Sequence, residues 1–272
     1  EHYLVDRAQG NPLYASELLN ALEDEGVLTQ CADGWVLGDL ERIRVPQLLM
    51  QVIGGRLARL SDEARELLQS AAVIGQTVPL DLWQEVSGAA DADLVAAIEQ
   101  GQAAQVLIEV GRGTGYQFRH ALIREALYEE VVALRRRLWH RTIGEALAET
   151  READPDTVAY HFLQAGDTRA VEWLILAGER ARRAYVWAVA AERFDAALAK
   201  LTEQQAPALD RVALLMRIAL VMRYADPRRA VALFEEAAKL ATASGEAGVG
   251  FLSSFLAGIN RVSMGDVRSG LR

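Results

Sequence analysis

The chain has 272 residues, 51% of them hydrophobic, and a formal net charge of −9. That length suits two or three compact modules, each able to bury its own core, and the acidic balance argues against a surface built chiefly for nucleic acid or anionic lipid. Cys31 is the single cysteine, which excludes an internal disulfide and a cysteine-based metal site.

Six prolines and the lack of Ser- or Gln-rich tracts speak against long disordered linkers. No apolar run approaches the roughly 18 residues of a membrane helix, and no charged-then-apolar leader precedes Tyr3. The expected compartment is cytoplasmic. Glu1 stands where an initiator methionine would, and a helical pattern runs into Arg272, so both ends read as cut.

From Asn11 to Glu25, Leu13, Leu18, Leu19 and Leu22 recur at helical spacing, with Pro12 in the first turn, where a missing N–H costs nothing. Gly26 ends that helix. The segments Val27-Leu28-Thr29-Gln30 and Gly34-Trp35-Val36-Leu37 flank an Asp-Gly pair, a strong hairpin signal. Val45 to Leu60 predicts a second helix. Ser61-Asp62-Glu63-Ala64 is a capping sequence that opens a helix ending at Gly75.

A short helix is expected at Leu80 to Val86, and an Asp-capped one at Asp91 to Gln102. The strands Val106–Val110 and Tyr116–Phe118 follow, joined by Gly111-Arg112-Gly113-Thr114-Gly115. Three helices and then a two-stranded ribbon is the order of a winged helix. The ribbon leads into a long amphipathic helix from about His120 to Arg151, with Val131, Leu134 and Leu138 on its apolar stripe, and Asp154-Pro155-Asp156 interrupts it.

Beyond that point the pattern is helical, and it repeats. Ala190-x-x-x-Phe194-x-x-Ala197 returns as Ala230-x-x-x-Phe234-x-x-Ala237, and Asp226 to Ala230 returns as Asp266 to Gly270. Small residues let paired helices approach while the phenylalanine fills the space between them, as in tetratricopeptide-type hairpins. The expected fold is mainly α, in three parts. Residues 1–45 form a small helical lid with a β-hairpin, residues 46–152 a winged-helix domain with leading and trailing helices, and residues 153–272 truncated tetratricopeptide-like hairpins.

Catalytic chemistry finds no residues to carry it. No G-x-S-x-G elbow is present, and His2, His120, His140 and His161 never pair at the i, i+4 spacing of a helical metal face. A phosphate loop of the G-x-x-x-x-G-K-[ST] type is missing, since Lys200 and Lys239 each follow an alanine. The glycine-rich turn after Val110 leads into a strand and not a helix, so it reads as a wing.

The expected third helix of the winged fold carries Asp91, Asp93 and Glu99 and no base, a poor match to a phosphate-lined groove. Arg135-Arg136-Arg137 reads as a solvated or interdomain face. His161 is expected half-buried at a helix contact and His140 on a helix surface or in packing. His120 differs from both, because it sits where a ribbon becomes a helix N-terminus. There a histidine can help hold an anion such as a nucleotide phosphate, or it can simply cap or pack at the junction.

Three segments taken together resemble the bacterial signal transduction ATPases with numerous domains. They are Arg7-Ala8-Gln9-Gly10-Asn11-Pro12-Leu13-Tyr14, the stretch from Leu60-Ser61 to Ile74-Gly75, and Phe118-Arg119-His120-Ala121 through Tyr128. The look is nearest to large LuxR-type and maltose-regulator-like transcription activators and to the ATPase region attached to some adenylate cyclases. The resemblance implies that Pro12 meets an adenine, with Gly10 and Asn11 shaping the turn. It also implies that His120 takes the place of the histidine in the family's Met-His-Asp element, near the β-phosphate of ADP. Arg119 and Ala121 stand where the family has methionine and aspartate.

By the same resemblance the chain is the non-catalytic, regulatory part of a nucleotide-switched protein, with ADP or ATP, and Mg in the parent protein, as cofactors. Its partners would be an ATPase core preceding it, an inducer, peptide or protein on the hairpins, and further copies of the parent. No nucleic acid or membrane contact is implied. The alternative is a winged-helix DNA-binding protein with a helical effector arm.

Overall fold

The computed structural model of the chain describes residues 28–31, 34–37, 53–111 and 113–270. The fold is mainly α, and the chain divides into two compact units, residues 1–139 and 140–272.

In the first unit, β1 (Leu28–Cys31) and β2 (Gly34–Leu37) pair antiparallel with Leu28 opposite Leu37 and Cys31 opposite Gly34, the hairpin that the Asp-Gly pair signals. Of the helix expected from Val45 to Leu60, the described part is helical over residues 53–57. α1 (Asp62–Ile74) starts as its sequence dictates. The Ser61 hydroxyl accepts from the Ala64 amide at 3.2 Å, and Asp62 and Glu63 occupy the first turn, where the helix dipole favours negative charge.

The next element is β3 (Thr77–Pro79), a strand that the sequence pattern does not announce. It is three residues long and ends in proline, which cannot donate to a ladder and is tolerated because β3 is an edge strand. α2 (Leu80–Ser87) and α3 (Asp91–Ala103) follow, then β4 (Leu107–Val110) and β5 (Gly115–Phe118). The sheet order is β3-β5-β4, all antiparallel. The expected two-stranded ribbon is thus a three-stranded sheet, and the order α1-β3-α2-α3-β4-β5 is that of a winged helix. Gly115 permits the third strand, since a Cβ there would lie 3.0 Å from the Val78 carbonyl oxygen.

Asp91 does not cap α3. Ala90 holds the N-cap position without a side-chain bond, and Asp91 lies in the first turn, where it accepts from Gln84 Nε2 at 2.5 Å. The core beneath the sheet gathers Leu68, Trp83, Leu107, Phe118, Ile123 and Leu127. Trp83 is fully buried, so its indole N–H needs a partner. It donates to the Leu67 carbonyl at 3.0 Å and the Ser70 hydroxyl at 3.1 Å.

The single long helix expected from His120 to Arg151 is two helices, α4 (Ala121–Glu130) and α5 (Ala133–Ala148). Val131 is extended, with φ −70° and ψ 126°, and its side chain is buried. Two successive β-branched residues, Val131 and Val132, lose little by leaving the helix, and the Val131 carbonyl is recovered by Arg136 Nη2 at 3.2 Å. Beyond the break, Leu134 and Leu138 leave the expected apolar stripe and are exposed. Within the arginine cluster, Arg135 pairs with Glu66 at 2.6 Å and Arg136 lies 4.5 Å over the Tyr128 ring.

The second unit begins within α5, ahead of the boundary expected at residue 152. It continues as α6 (Pro155–Ala165), α7 (Ala170–Arg183), α8 (Trp187–Glu203), α9 (Ala208–Ala225), α10 (Pro227–Ala243), α11 (Ala247–Ser263) and α12 (Val267–Gly270). An Asp-Pro pair opens α6 and α10 alike: Asp154 accepts from the Thr157 amide at 3.1 Å and Asp226 from the Arg229 amide at 3.0 Å. The repeated residues Ala190, Phe194, Ala197, Ala230, Phe234 and Ala237 are all fully buried. Each hairpin brings a phenylalanine onto a small residue of the preceding helix. A Cβ on Gly178 would lie 2.5 Å from the Phe194 ring, and one on Gly144 would lie 2.9 Å from Phe162.

Candidate functional site

His120 is placed by the end of the sheet. The Phe118 amide donates to the Gln76 carbonyl at 3.0 Å, the Arg119 amide donates to the Val106 carbonyl at 2.9 Å, and Gln76 Nε2 returns to the Phe118 carbonyl at 2.6 Å. These bonds fix the last strand residue, so the next one turns at a defined point. His120 takes φ −141° and ψ 139° at the N-cap of α4, and its carbonyl accepts from the Ile123 amide at 3.1 Å.

Its imidazole does not serve as the cap, which removes the capping reading. The half-buried ring is held below the ordinary histidine range, first by burial and then by the positive charges of Arg56 and Arg119. Arg56 is itself positioned by donating from Nη1 to the Gln105 carbonyl at 3.3 Å. The start of α4 therefore combines a positive helix end, two guanidinium groups acting on one point, and an imidazole whose charged form is disfavoured. Such a corner favours an anion whose oxygens can accept from N–H donors. Arg119 adds to the positive charge at this corner.

Gly10, Asn11 and Pro12, expected on the adenine side, lie outside the described residues. Among the described residues no group of His, Cys, Asp or Glu is arranged to hold a metal ion, and no helix is long and apolar enough to cross a membrane. α3 presents Asp91, Asp93 and Glu99 to solvent.

Two histidines that sequence reasoning kept apart form a pair. His140 on α5 and His161 on α6 are both buried, with Nδ1 atoms 2.9 Å apart, and the Tyr160 ring meets each edge-on. His161 is fully buried, not half-buried as expected. Burial, and then the neighbouring His140, push its pKa down to about 3, so it is neutral near pH 7. Across the Nδ1 contact one ring donates and the other accepts, which ties α5 to α6. The separation of 21 residues hid the pair from any local pattern.

No protein-family profile and no curated protein matches this chain. Among solved structures, the fold resembles that of a signal transduction ATPase with numerous domains from Pyrococcus horikoshii that carries a tetratricopeptide repeat sensor. The TM-score is 0.51 at 12% identity, over 99% of this chain and 36% of that one. The chain thus spans about a third of the length of that protein, and the likeness is one of fold.

Proposed function

We propose that this chain is the regulatory, non-catalytic portion of a nucleotide-switched signal-transduction ATPase of the cytoplasm, in which the winged helix acts as a clasp on bound ADP. The observation that supports this most directly is the corner at the start of α4, where His120 holds the N-cap position and the positive charges of Arg56 and Arg119 act on it. In this reading a phosphate of ADP, held with Mg by an ATPase core outside this chain, accepts from His120, and Gly10, Asn11 and Pro12 meet the adenine. The helical hairpins receive an inducer, peptide or partner protein. Exchange of ADP for ATP then releases the clasp and lets the parent protein assemble, with transcriptional control as the output. A ligand biases such an equilibrium only through contacts that differ between the two states, and the contact at His120 is one that release would break.

The test joins this chain to its ATPase core and compares His120→Ala with the unchanged protein. Losing one hydrogen bond to a charged group weakens retention of ADP by about tenfold or more. Because burial, Arg56 and Arg119 hold the imidazole below its ordinary pKa, a bound phosphate would draw a proton onto it. ADP retention should therefore tighten as pH falls in the unchanged protein and lose that dependence in His120→Ala. Equal ADP occupancy in the two proteins, measured after gel filtration, would refute the assignment. Salt-sensitive duplex binding by the isolated chain would instead favour the DNA-binding reading.

A further inference from the structure

The second unit holds a cleft between α7 and α9 whose chemistry stands apart from the rest of this acidic chain. Its cavity of about 400 Å³ is lined by Arg182, Arg217 and Arg223 against one carboxylate, Glu179, with Trp187 and Tyr224 beside them. Glu179 already accepts from two of the three guanidinium groups, Arg182 Nε at 2.8 Å and Arg217 Nη1 at 3.1 Å. Arg223 lies 4.5 Å over the Tyr224 ring. One carboxylate cannot neutralise three guanidinium groups, so the cleft keeps positive charge in a chain of net charge −9.

Trp187 packs partly against the core of this unit, but the two tyrosines beside it are out of place as packing residues. Tyr224 is 63% exposed and Tyr185 76% exposed. The Trp187 ring lies 5.6 Å from Tyr224 at a tilt of 33°, and Tyr185 meets Trp187 edge-on at 5.5 Å. Tyr185 also has φ 61°, the left-handed region where a bulky side chain is costly and glycine would be cheaper. An exposed aromatic kept in a strained turn, next to two others, is a surface arranged for contact. Arg217 also lines an adjoining cavity of about 570 Å³ with an apolar floor of Leu176, Leu201 and Leu214.

We propose that this cleft binds a peptide segment that places acidic side chains next to an aromatic or aliphatic one. The acids accept from Arg217, Arg223 and Arg182, in the paired geometry that guanidinium and carboxylate share. The apolar side chain lies on the Trp187–Tyr224 platform or enters the neighbouring apolar cavity. A nucleic acid strand fits less well, because Glu172 and Asp210 line the adjoining cavity and would repel a continuous phosphate track. The inference rests on the reading of the hairpins as the ligand-receiving arm and specifies the chemistry of that ligand.

A random-peptide phage library panned on the 272-residue chain is the direct test. The selected pool is expected to be rich in Asp and Glu beside Trp, Tyr, Phe or Leu, and its resynthesised, fluorescein-labelled members should bind less well as salt rises. Arg217→Glu with Arg223→Glu should weaken binding by about tenfold or more. Tyr224→Ala, at an exposed position, should weaken it as well while leaving the far-UV spectrum unchanged.

An empty selection, or a pool without acids, overturns the proposal, and so does tighter binding of a fluorescein-labelled oligothymidylate. Acidic peptides that bind equally well to both sets of variants also overturn it, yet leave the hairpins as the receiving arm. His120→Ala should not alter peptide binding, so failure of the nucleotide clasp and failure of this cleft are read separately.

Discussion

Replacing Gly178 with alanine sets two effects of opposite sign against each other. Within a helix interior, glycine to alanine ordinarily stabilises by about 1 kcal/mol, because alanine loses less backbone entropy. At Gly178 the new methyl would lie 2.5, 2.7 and 2.9 Å from three carbons of the Phe194 ring. That ring is fully buried in one cluster with Leu174, Ala190, Leu214 and Ile218, so turning away would displace other core side chains. Overpacking of this kind costs about 1–3 kcal/mol, so the clash should exceed the propensity gain and leave a net loss of about 1 kcal/mol. Gly248, on α11, has nothing within 4 Å of its would-be Cβ, and Gly248→Ala should be neutral or stabilising. Urea unfolding followed by far-UV circular dichroism compares the two. Phe194→Leu combined with Gly178→Ala should cost less than the sum of the single changes, because the smaller side chain vacates the contested space. A Gly178→Ala protein as stable as Gly248→Ala would show that α7 and α8 are not held apart by this contact.

Trp83→Phe removes the donor to the Leu67 carbonyl and the Ser70 hydroxyl and leaves a gap in the first unit's core. It should cost about 2 kcal/mol, read as a lower urea midpoint, and a loss under about 0.5 kcal/mol would contradict the packing described. The second unit should be sensitive to acid through His161. Its pKa of about 3 lies below the unfolded value, so the unfolded chain binds more protons between the two values. The stability contributed is complete above pH ~6.5 and is lost as pH falls toward 3, with about 2 kcal/mol gone by pH 5. Stability of the second unit that stays level from pH 7 to pH 5 would refute the buried neutral pair.

Features governed by near neighbours were legible in the sequence. The strands at Leu28–Cys31 and Gly34–Leu37 follow from a turn pair between two short apolar runs, and α1 begins where Ser61 can cap it. The Ala-x-x-x-Phe register placed Phe194 and Phe234 in the core correctly because it encodes one helix face. What escaped depends on partners distant along the chain. β3 is too short to show alternation and exists through its pairing with β5. The break at Val131 falls inside an apolar spacing that the sequence carries on through Leu134 and Leu138, and only the extended backbone at Val131 reveals it. At the candidate site, the position of His120 at the ribbon-to-helix junction was readable. Arg56, whose charge acts on it from the segment ahead of α1, was not. The same limit hid the contact between His140 and His161.

The acidic face of α3 has a consequence for how this surface would meet duplex DNA. Genomic duplex offers an enormous excess of phosphate, and a winged helix with basic residues at this position would spend much of its time adsorbed there, whatever its intended task. Asp91, Asp93 and Glu99, all turned to solvent, make that adsorption unfavourable.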